Sequence, residues 1–340
     1  MSLLPFLHRV AERENLSAAE AEQAMNVILA GEATTAQIGA FLVALRMKGE
    51  TGEEVLGFAR AMRAKATPVE VGLAGEPLLD VVGTGGDGHA TFNISTTAAF
   101  VAAGAGVKVA KHGNRSISSR CGAADVLESL GVRLISDPVR MGEAVRRVGI
   151  SFLFAPALHP AMKYAQPARR ELKMRTVFNL LGPLTNPAGA TCQVVGAPSP
   201  EAASLMAAAL ATLGLVRGFV VHGADGMDEI TTTGPTLALE IRGGSIIRHS
   251  LQPAEFGVPL ATLEELRGGD HAENAAITRA VLDGEKGPRR DIVVMNAAVA
   301  LVAAGKAKDF QEGAELAAAA IDSGAARRKL AELAAFTRQE

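Results

Sequence analysis

Leu78-Leu79-Asp80-Val81-Val82 runs directly into Gly83-Thr84-Gly85-Gly86-Asp87-Gly88. A short apolar run that ends in glycines reads as a buried strand followed by a tight loop. Glycines there allow positive φ and let backbone amides approach an anion with no Cβ in the way. The spacing matches neither GxxxxGK[ST] nor GxGxxG, so a ligand-free tight turn competes with an anion loop at this point. The sequence that follows decides the fold. TTAAFVAAGAG (96–106) is helix-like, residues 107–110 are strand-like, GAADVLESLG (122–131) is helix-like, and another strand is expected near 132–135. This alternation predicts βαβ units: a large α/β domain with a mostly parallel central sheet and helices on both faces. Residues 218–222 continue it as a strand, and a hairpin is expected over 237–249, turning at Gly243-Gly244. From about Asn274 onward, four Ala-rich helical segments close the chain.

Upstream, residues 1–70 read as helices. Ser17 with Glu20, Thr34 with Gln37 and Thr51 with Glu54 have capping-box spacing. Ile38, Phe41, Leu42 and Leu45 recur at helical period, so these helices bury a face on something larger. The length of 340 residues fits about two domains. With 34 Lys+Arg against 36 Asp+Glu, the chain lacks the basic footprint of a general nucleic-acid binder. Two cysteines make neither a disulfide framework nor a four-ligand zinc site. The most apolar stretches fall short of the ~20 residues of a membrane span. A reduced, cytoplasmic protein with no membrane segment is the expectation.

Four further groups carry chemistry. Thr91-Phe92-Asn93-Ile94-Ser95-Thr96-Thr97 is a hydroxyl-rich lead into a helix, where free amides and the helix dipole favour an anion. Simple N-capping by Ser95 or Thr96 is the alternative. Lys111-His112-Gly113-Asn114-Arg115-Ser116-Ile117-Ser118-Ser119-Arg120 follows the second strand and gathers cations and serines. Two such loops at strand C-termini can converge on a polyanion. Asp228-Glu229, in HGADGMDE after the 218–222 strand, offers two carboxylates to a hard divalent cation, with Asp225 a weaker candidate; a solvated acidic turn is the alternative. Arg169-Arg170 sits on an expected helix after two prolines, and only one of the pair can face a site. Arginine suits a planar carboxylate, although a surface ion pair is the plainer reading.

Taken in order, DVVGTGGDG, TFNIST, VAKHGNRSISS, GAADVLESLGV, FLFAPALHPAMK, RTVFNLLGPLTNP and VVHGADGMDE resemble the anthranilate phosphoribosyltransferase family. The resemblance implies a small all-helical domain (1–70 plus about 166–182) and an α/β domain (71–165 plus 183–340). It implies transfer of phosphoribose from 5-phosphoribosyl 1-diphosphate to anthranilate, two Mg²⁺ per active site, and a homodimer through the helical domain. For the phosphoribosyl diphosphate it points to Gly83, Gly86, Asp87, Thr91, Asn93, Ile94, Ser95, Thr96, Lys111, His112, Gly113, Asn114, Arg115, Ser116, Ile117, Ser118, Ser119 and Ala123. For anthranilate it points to Gly83, Asn114 and Arg169, with His112 and His159 beside them. For metal it points to Ser95, Asp228 and Glu229. No residue is expected to act covalently or as acid or base, and Lys111, Asn114 and Arg169 would act by charge and positioning. Arg120-Cys121 replaces a common Lys-Ser. Leu158 replaces a frequent Tyr and bears on the anthranilate channel. Lys173 replaces a frequent Gly. A nucleoside phosphorylase shares the architecture, but Asp228-Glu229 and the KHGN segment argue against it.

Overall fold

A computed structural model of the chain describes residues 2–116 and 120–339. The first four helices are α1 (Leu4–Ala11), α2 (Ala18–Leu29), α3 (Thr35–Lys48) and α4 (Gly52–Lys65). All three capping boxes form, each with reciprocal bonds. Glu54 closes its box from a buried position. It pairs with Lys48 at 2.9 Å and accepts the Leu16 amide at 3.0 Å, so one acid ties three segments together. At Gly57 a Cβ would lie 2.2 Å from the Ala18 carbonyl oxygen, so the glycine sets the close approach of α4 to α2.

The remaining elements are β1 (Leu78–Gly83), α5 (Ile94–Gly104), β2 (Lys108–Gly113), α6 (Ala123–Ser129), α7 (Pro138–Arg147), β3 (Ile150–Phe154), α8 (Ala155–Leu158), α9 (Gln166–Leu172), α10 (Phe178–Leu181), β4 (Cys192–Gly196), α11 (Pro200–Thr212), β5 (Arg217–Gly223), β6 (Thr236–Arg242), β7 (Ser245–Leu251), α12 (His271–Leu282), α13 (Pro288–Ala303), α14 (Phe310–Asp322) and α15 (Ala325–Arg338). Among the described residues, seven strands form one sheet in the order β3-β2-β1-β4-β5-β6-β7. The first five are parallel. β6 and β7 are antiparallel and form the expected hairpin, with Gly243 and Gly244 both at positive φ. The chain moves from β1 outward to β3, then crosses to the other side of β1 for β4. The β1/β4 boundary is therefore a topological switch point. One face of the sheet packs under α5, α13 and α15, and the other under α11 and the N-terminal helices.

The expected strand at 132–135 is not one. The Val132 amide bonds the Leu127 carbonyl at the end of α6, and the Arg133 amide bonds Thr337 Oγ1. The segment's apolar residues seat on the core without joining the sheet. Two buried strands, β3 and β4, carry the sheet instead. β3 follows α7 after only two residues, so its apolar run merges with the helix pattern, and β4 is short and contains a buried Gln193. β2 runs on to Gly113, which places Lys111 and His112 within the strand and not in the loop after it. α5 begins at Ile94, so Ser95, Thr96 and Thr97 form its first turn.

Ala165, Ala168, Val177, Phe178 and Leu181, on and around α9 and α10, are buried in the same apolar cluster as α1–α4. α9 ends at Lys173, which adopts the left-handed conformation with φ 47°. A Cβ there crowds the carbonyl and costs about 1 kcal/mol. Lys173→Gly should therefore raise stability by about 0.5–1 kcal/mol in urea unfolding. A loss of stability instead would show that the lysine side chain makes contacts outweighing the backbone strain.

Candidate active site

The five parallel strands deliver their C-termini to one edge of the sheet. The loops after β1, β2, β3, β4 and β5 all lie there. At the switch point Gly83 and Gly196 are register partners. A Cβ on Gly83 would stand 2.6 Å from Asp228 Oδ2, and one on Gly196 would stand 1.7 Å from the Asp228 carbonyl oxygen. These two glycines make the space through which Asp228 passes over the strand ends. Asp228 Oδ2 accepts the Gly85 amide at 2.6 Å and the Thr84 hydroxyl at 3.3 Å. Gly85, Gly86 and Gly88 all have positive φ, as the loop reading requires.

Glu229 Oε1 accepts the Ser95 amide at 3.2 Å, which puts a carboxylate at the N-terminus of α5. Burial, and next the charge of Asp87, push Asp228 up to about 6. Burial, and next the charge of Asp228, push Glu229 up to about 8. Two crowded acids in poorly solvated surroundings are the donor set a hard cation resolves. Among the described residues no three His, Cys, Asp or Glu side chains are grouped to hold a metal, so a cation here would need substrate oxygens as well. Asp225 is not free to help. It accepts both threonine hydroxyls of Thr231 and Thr233 at 2.6 Å and the Met227 amide at 3.0 Å, and so shapes the turn. Asn296 on α13 fixes the next residue by accepting the Ile230 amide and donating to its carbonyl.

Lys111 is buried and extends toward β1. Its ammonium donates to the Val81 carbonyl and lies 3.4 Å from Ser95 Oγ. Burial lowers its pKa, while Asp80, Glu229 and Asp228 act in the other direction. Asp80 is wholly buried, accepts the His112 amide at 3.0 Å and the Asn186 side-chain amide at 2.8 Å, and is pushed up to about 6 by burial. Asn186 also donates to the Ala110 carbonyl at 2.8 Å. Asp80 and Asn186 escaped the sequence reading as site residues. The signal was present: a single acid inside an apolar strand run needs partners. These bonds hold the 183–188 stretch against β1 and β2.

His112 and His159 lie against each other, ring centroids 5.1 Å apart and planes tilted by 52°, and His112 Nδ1 lies 3.2 Å from the Gly182 carbonyl. Both Nε2 atoms are buried without a hydrogen-bond partner. The Arg169 guanidinium lies 5.2 Å from the Phe178 ring centre and is largely withdrawn from solvent, which lowers its pKa, whereas Arg170 is exposed. Asn114 is exposed, with Oδ1 accepting the Arg115 amide at 2.7 Å. Arg115 is engaged by Asp125 at 2.8 Å and Glu128 at 2.6 Å, so its charge is already matched. The Ser116 amide bonds Asp125 at 3.2 Å, and Ala123 opens α6 beside it. Asn93 Oδ1 is held by Asn274 at 3.1 Å and by Cys121 at 3.4 Å, and Thr91 bridges to Arg267. Ile94 and Thr96 are buried, so their backbones, not their side chains, are placed to meet a ligand. Gly86 is exposed on the loop, Asp87 holds the His89 amide at 3.1 Å, and Gly113 ends β2 against Phe152. Ile117, Ser118 and Ser119 lie outside the described residues. Leu158 is fully buried among Val69, Leu78, Met141 and Leu153.

Burial, with the neighbouring imidazole second, takes His112 down to about 3, and burial takes His159 down to about 4, from an ordinary 6.5. Both rings stay neutral in the folded protein while the unfolded chain takes up protons below about pH 6.5. Stability from this pair is present above that pH and is lost as pH falls toward 4, by about 1.4 kcal/mol per pH unit per proton. The raised acids work in the opposite direction, so the comparison must be between variants. His159→Gln should flatten the fall in unfolding free energy between pH 6.5 and 4.5. Parallel curves for the two proteins would mean His159 is charged in the folded state.

Comparison with known proteins agrees with this architecture along the whole chain. A family model described as "Glycosyl transferase family, helical bundle domain" matches residues 4–66, and one described as "Glycosyl transferase family, a/b domain" matches residues 75–327. The anthranilate phosphoribosyltransferase of Solibacter usitatus is 64% identical over 336 residues, covering 99% of each chain. That of Geobacter sulfurreducens is 55% identical, covering 97% of this chain and 98% of its own. Among solved structures, the Thermus thermophilus enzyme superposes with a TM-score of 0.92 at 48% identity, covering 98% of this chain and 99% of its own. A Saccharomyces cerevisiae enzyme in complex with PRPP and Mg superposes at 0.88 with 30% identity, covering 98% and 97%. With relatives this similar along nearly the whole chain and the same fold, the chain is a member of the anthranilate phosphoribosyltransferases.

Proposed function

We propose that the cleft at the β1/β4 switch point carries out the family reaction, transfer of the phosphoribosyl group of 5-phosphoribosyl 1-diphosphate to the amine of anthranilate. The products are N-(5-phosphoribosyl)anthranilate and diphosphate, in tryptophan biosynthesis. The observation that carries the assignment of the site is the convergence of a glycine loop, a helix N-terminus, a buried lysine and a crowded acid pair on one edge. In this reading the diphosphate lies on Gly83, Gly86 and Asp87, with Asn93, Ser95 and the backbone of Ile94 and Thr96 beside it. The phosphoribosyl part runs along Lys111 to Ser119, with Ala123 at the floor and Thr91 at the rim. Mg²⁺ held by Ser95 and by Asp228-Glu229, two ions in all, would supply charge for the departing diphosphate.

The chain's own groups do the rest. Lys111 lends positive charge beside Ser95, where the leaving oxygen develops negative charge. Arg169 holds the anthranilate carboxylate and Asn114 orients the ring. Neutral His112 and His159 give the aromatic acceptor an uncharged wall. In this reading the amine displaces diphosphate directly: its N–C1 bond forms as the C1–O bond to diphosphate breaks, the amine then releases a proton to solvent, and positioning of a weak nucleophile carries much of the rate. We also assign residues 1–70 with 166–182 to a helical domain and 71–165 with 183–340 to the α/β domain, a division supported by the packing of α9 on α3 and of α10 on α4. Exposed Leu4 and Met47 on that helical part support a homodimer through it. No helix among the described residues is long and apolar enough to cross a membrane, and we place the enzyme in the cytoplasm.

Arg169→Ala should raise the KM for anthranilate at least ten-fold while leaving that for phosphoribosyl diphosphate nearly unchanged, since a charge-assisted bidentate contact is worth about 1.5–3 kcal/mol. Arg170→Ala should behave as wild type. A fluorescence assay of anthranilate consumption reads both, and an anthranilate-specific defect in Arg170→Ala alone would reverse the assignment. Asp228→Asn with Glu229→Gln should lower turnover and weaken its dependence on Mg²⁺. Wild-type rates across a Mg²⁺ titration would reduce the acid pair to a helix-capping turn.

A further inference from the structure

Arg175 lies two residues beyond left-handed Lys173, between α9 and α10. It is on the segment that carries Arg169, not on any of the phosphate loops. Yet its guanidinium donates to the carbonyl of Gly85, ninety residues earlier in the chain and at the tip of the glycine loop. Its charge also acts on Asp228 from that position. A carbonyl takes one of the several N–H donors of a guanidinium and leaves the positive charge unmatched. Among the described residues Arg175 forms no ion pair, unlike Arg115, which two acids hold. Gly85 and Gly86 beneath it are exposed. A half-buried guanidinium with no ion-pair partner beside a loop of bare backbone is complementary to a phosphate group, two of whose oxygens can accept its parallel N–H bonds.

We infer that Arg175 contacts the diphosphate of the donor and takes up negative charge as that group departs. This rests on the reading that the diphosphate lies on the Gly83–Asp87 loop. The consequence is specific to the fold. The donor's diphosphate is gripped from both sides of the cleft: by the sheet's loops, and by the segment that presents Arg169 to the acceptor. Donor binding thereby sets the acceptor side in place, because Arg175 and Arg169 are joined through one short turn.

Titration calorimetry with inorganic diphosphate and Mg²⁺ tests this on the full chain. Arg175→Gln keeps an N–H donor for the Gly85 carbonyl but loses the charge. It should bind diphosphate ten- to a hundred-fold more weakly with an unchanged melting temperature. Arg175→Lys should recover part of that loss. In steady state, Arg175→Gln should lower kcat as well as kcat/KM for phosphoribosyl diphosphate, because the contact strengthens as the leaving group gains charge. Ser95→Ala is the control for the loop itself. If Ser95→Ala weakens diphosphate binding while Arg175→Gln binds it like wild type, Arg175 is a strut for the loop and the inference fails with the site intact. If neither variant changes binding, the diphosphate does not lie on this loop, and both the inference and the reading beneath it are overturned.

Discussion

Asp80 is the constraint around which the His112 and Asn186 side of the candidate site is organised. It is a carboxylate carried into the middle of a sheet, with no exposed surface. Burying an acid without partners would cost several kcal/mol, so its oxygens must be met. The His112 amide and the Asn186 side chain meet them, and Lys111 supplies charge nearby. Each partner then has only one place to be. His112 is turned against Gly182 and His159, and Asn186 pulls the stretch after α10 down onto β2. One acid thus aligns the strand that bears Lys111 with the segment that returns from the helical part of the chain.

On the donor side the governing term is space, not charge. Gly83 and Gly196 are adjacent strand ends with no room for a methyl group, because Asp228 occupies it. The acid turn is packed into the sheet edge as firmly as a core residue. Its carboxylates are crowded because its backbone has no alternative path. The resulting elevated pKa values report a site under electrostatic tension of the kind that cations and phosphates relieve.

Most of this was legible in the amino-acid order, for identifiable reasons. Capping boxes, the Gly243-Gly244 hairpin and the four closing helices are local signals, and all appear in the structure. The glycine loop, Ser95, Lys111 and the acid pair could be singled out because each violates what its surroundings would prefer. The failures are also physical. Residues 132–135 have strand-like composition, but the Val132 and Arg133 amides bond the end of α6 and Thr337, while β3 is hidden against α7. Asn186 gives no sign in sequence, since its partner Asp80 is more than a hundred residues away. Arg115 stands out in the sequence as a cation in a serine-rich loop, but its ion pairs with Asp125 and Glu128 could not be read there. Pairings across distant segments are what a single sequence conceals.

The bonds that hold the acid turn have a further consequence, for synthesis of the chain. Asn296 on α13 secures Ile230, and Asn274 on α12 secures Asn93 at the start of α5. Both locks come from the last quarter of the polypeptide, and both act on loops made long before. An emerging chain can pair its parallel strands early, but the edge that does the chemistry stays unfastened until α13 has left the ribosome. Long-range closure of this sort is slow and exposes apolar surface meanwhile. The N-terminal helices pack on one another, α2 against α4 above all, but they too bury surface on later segments, α4 on α11 and α3 on α9. The fastening of the candidate site therefore depends on segments made late in the chain.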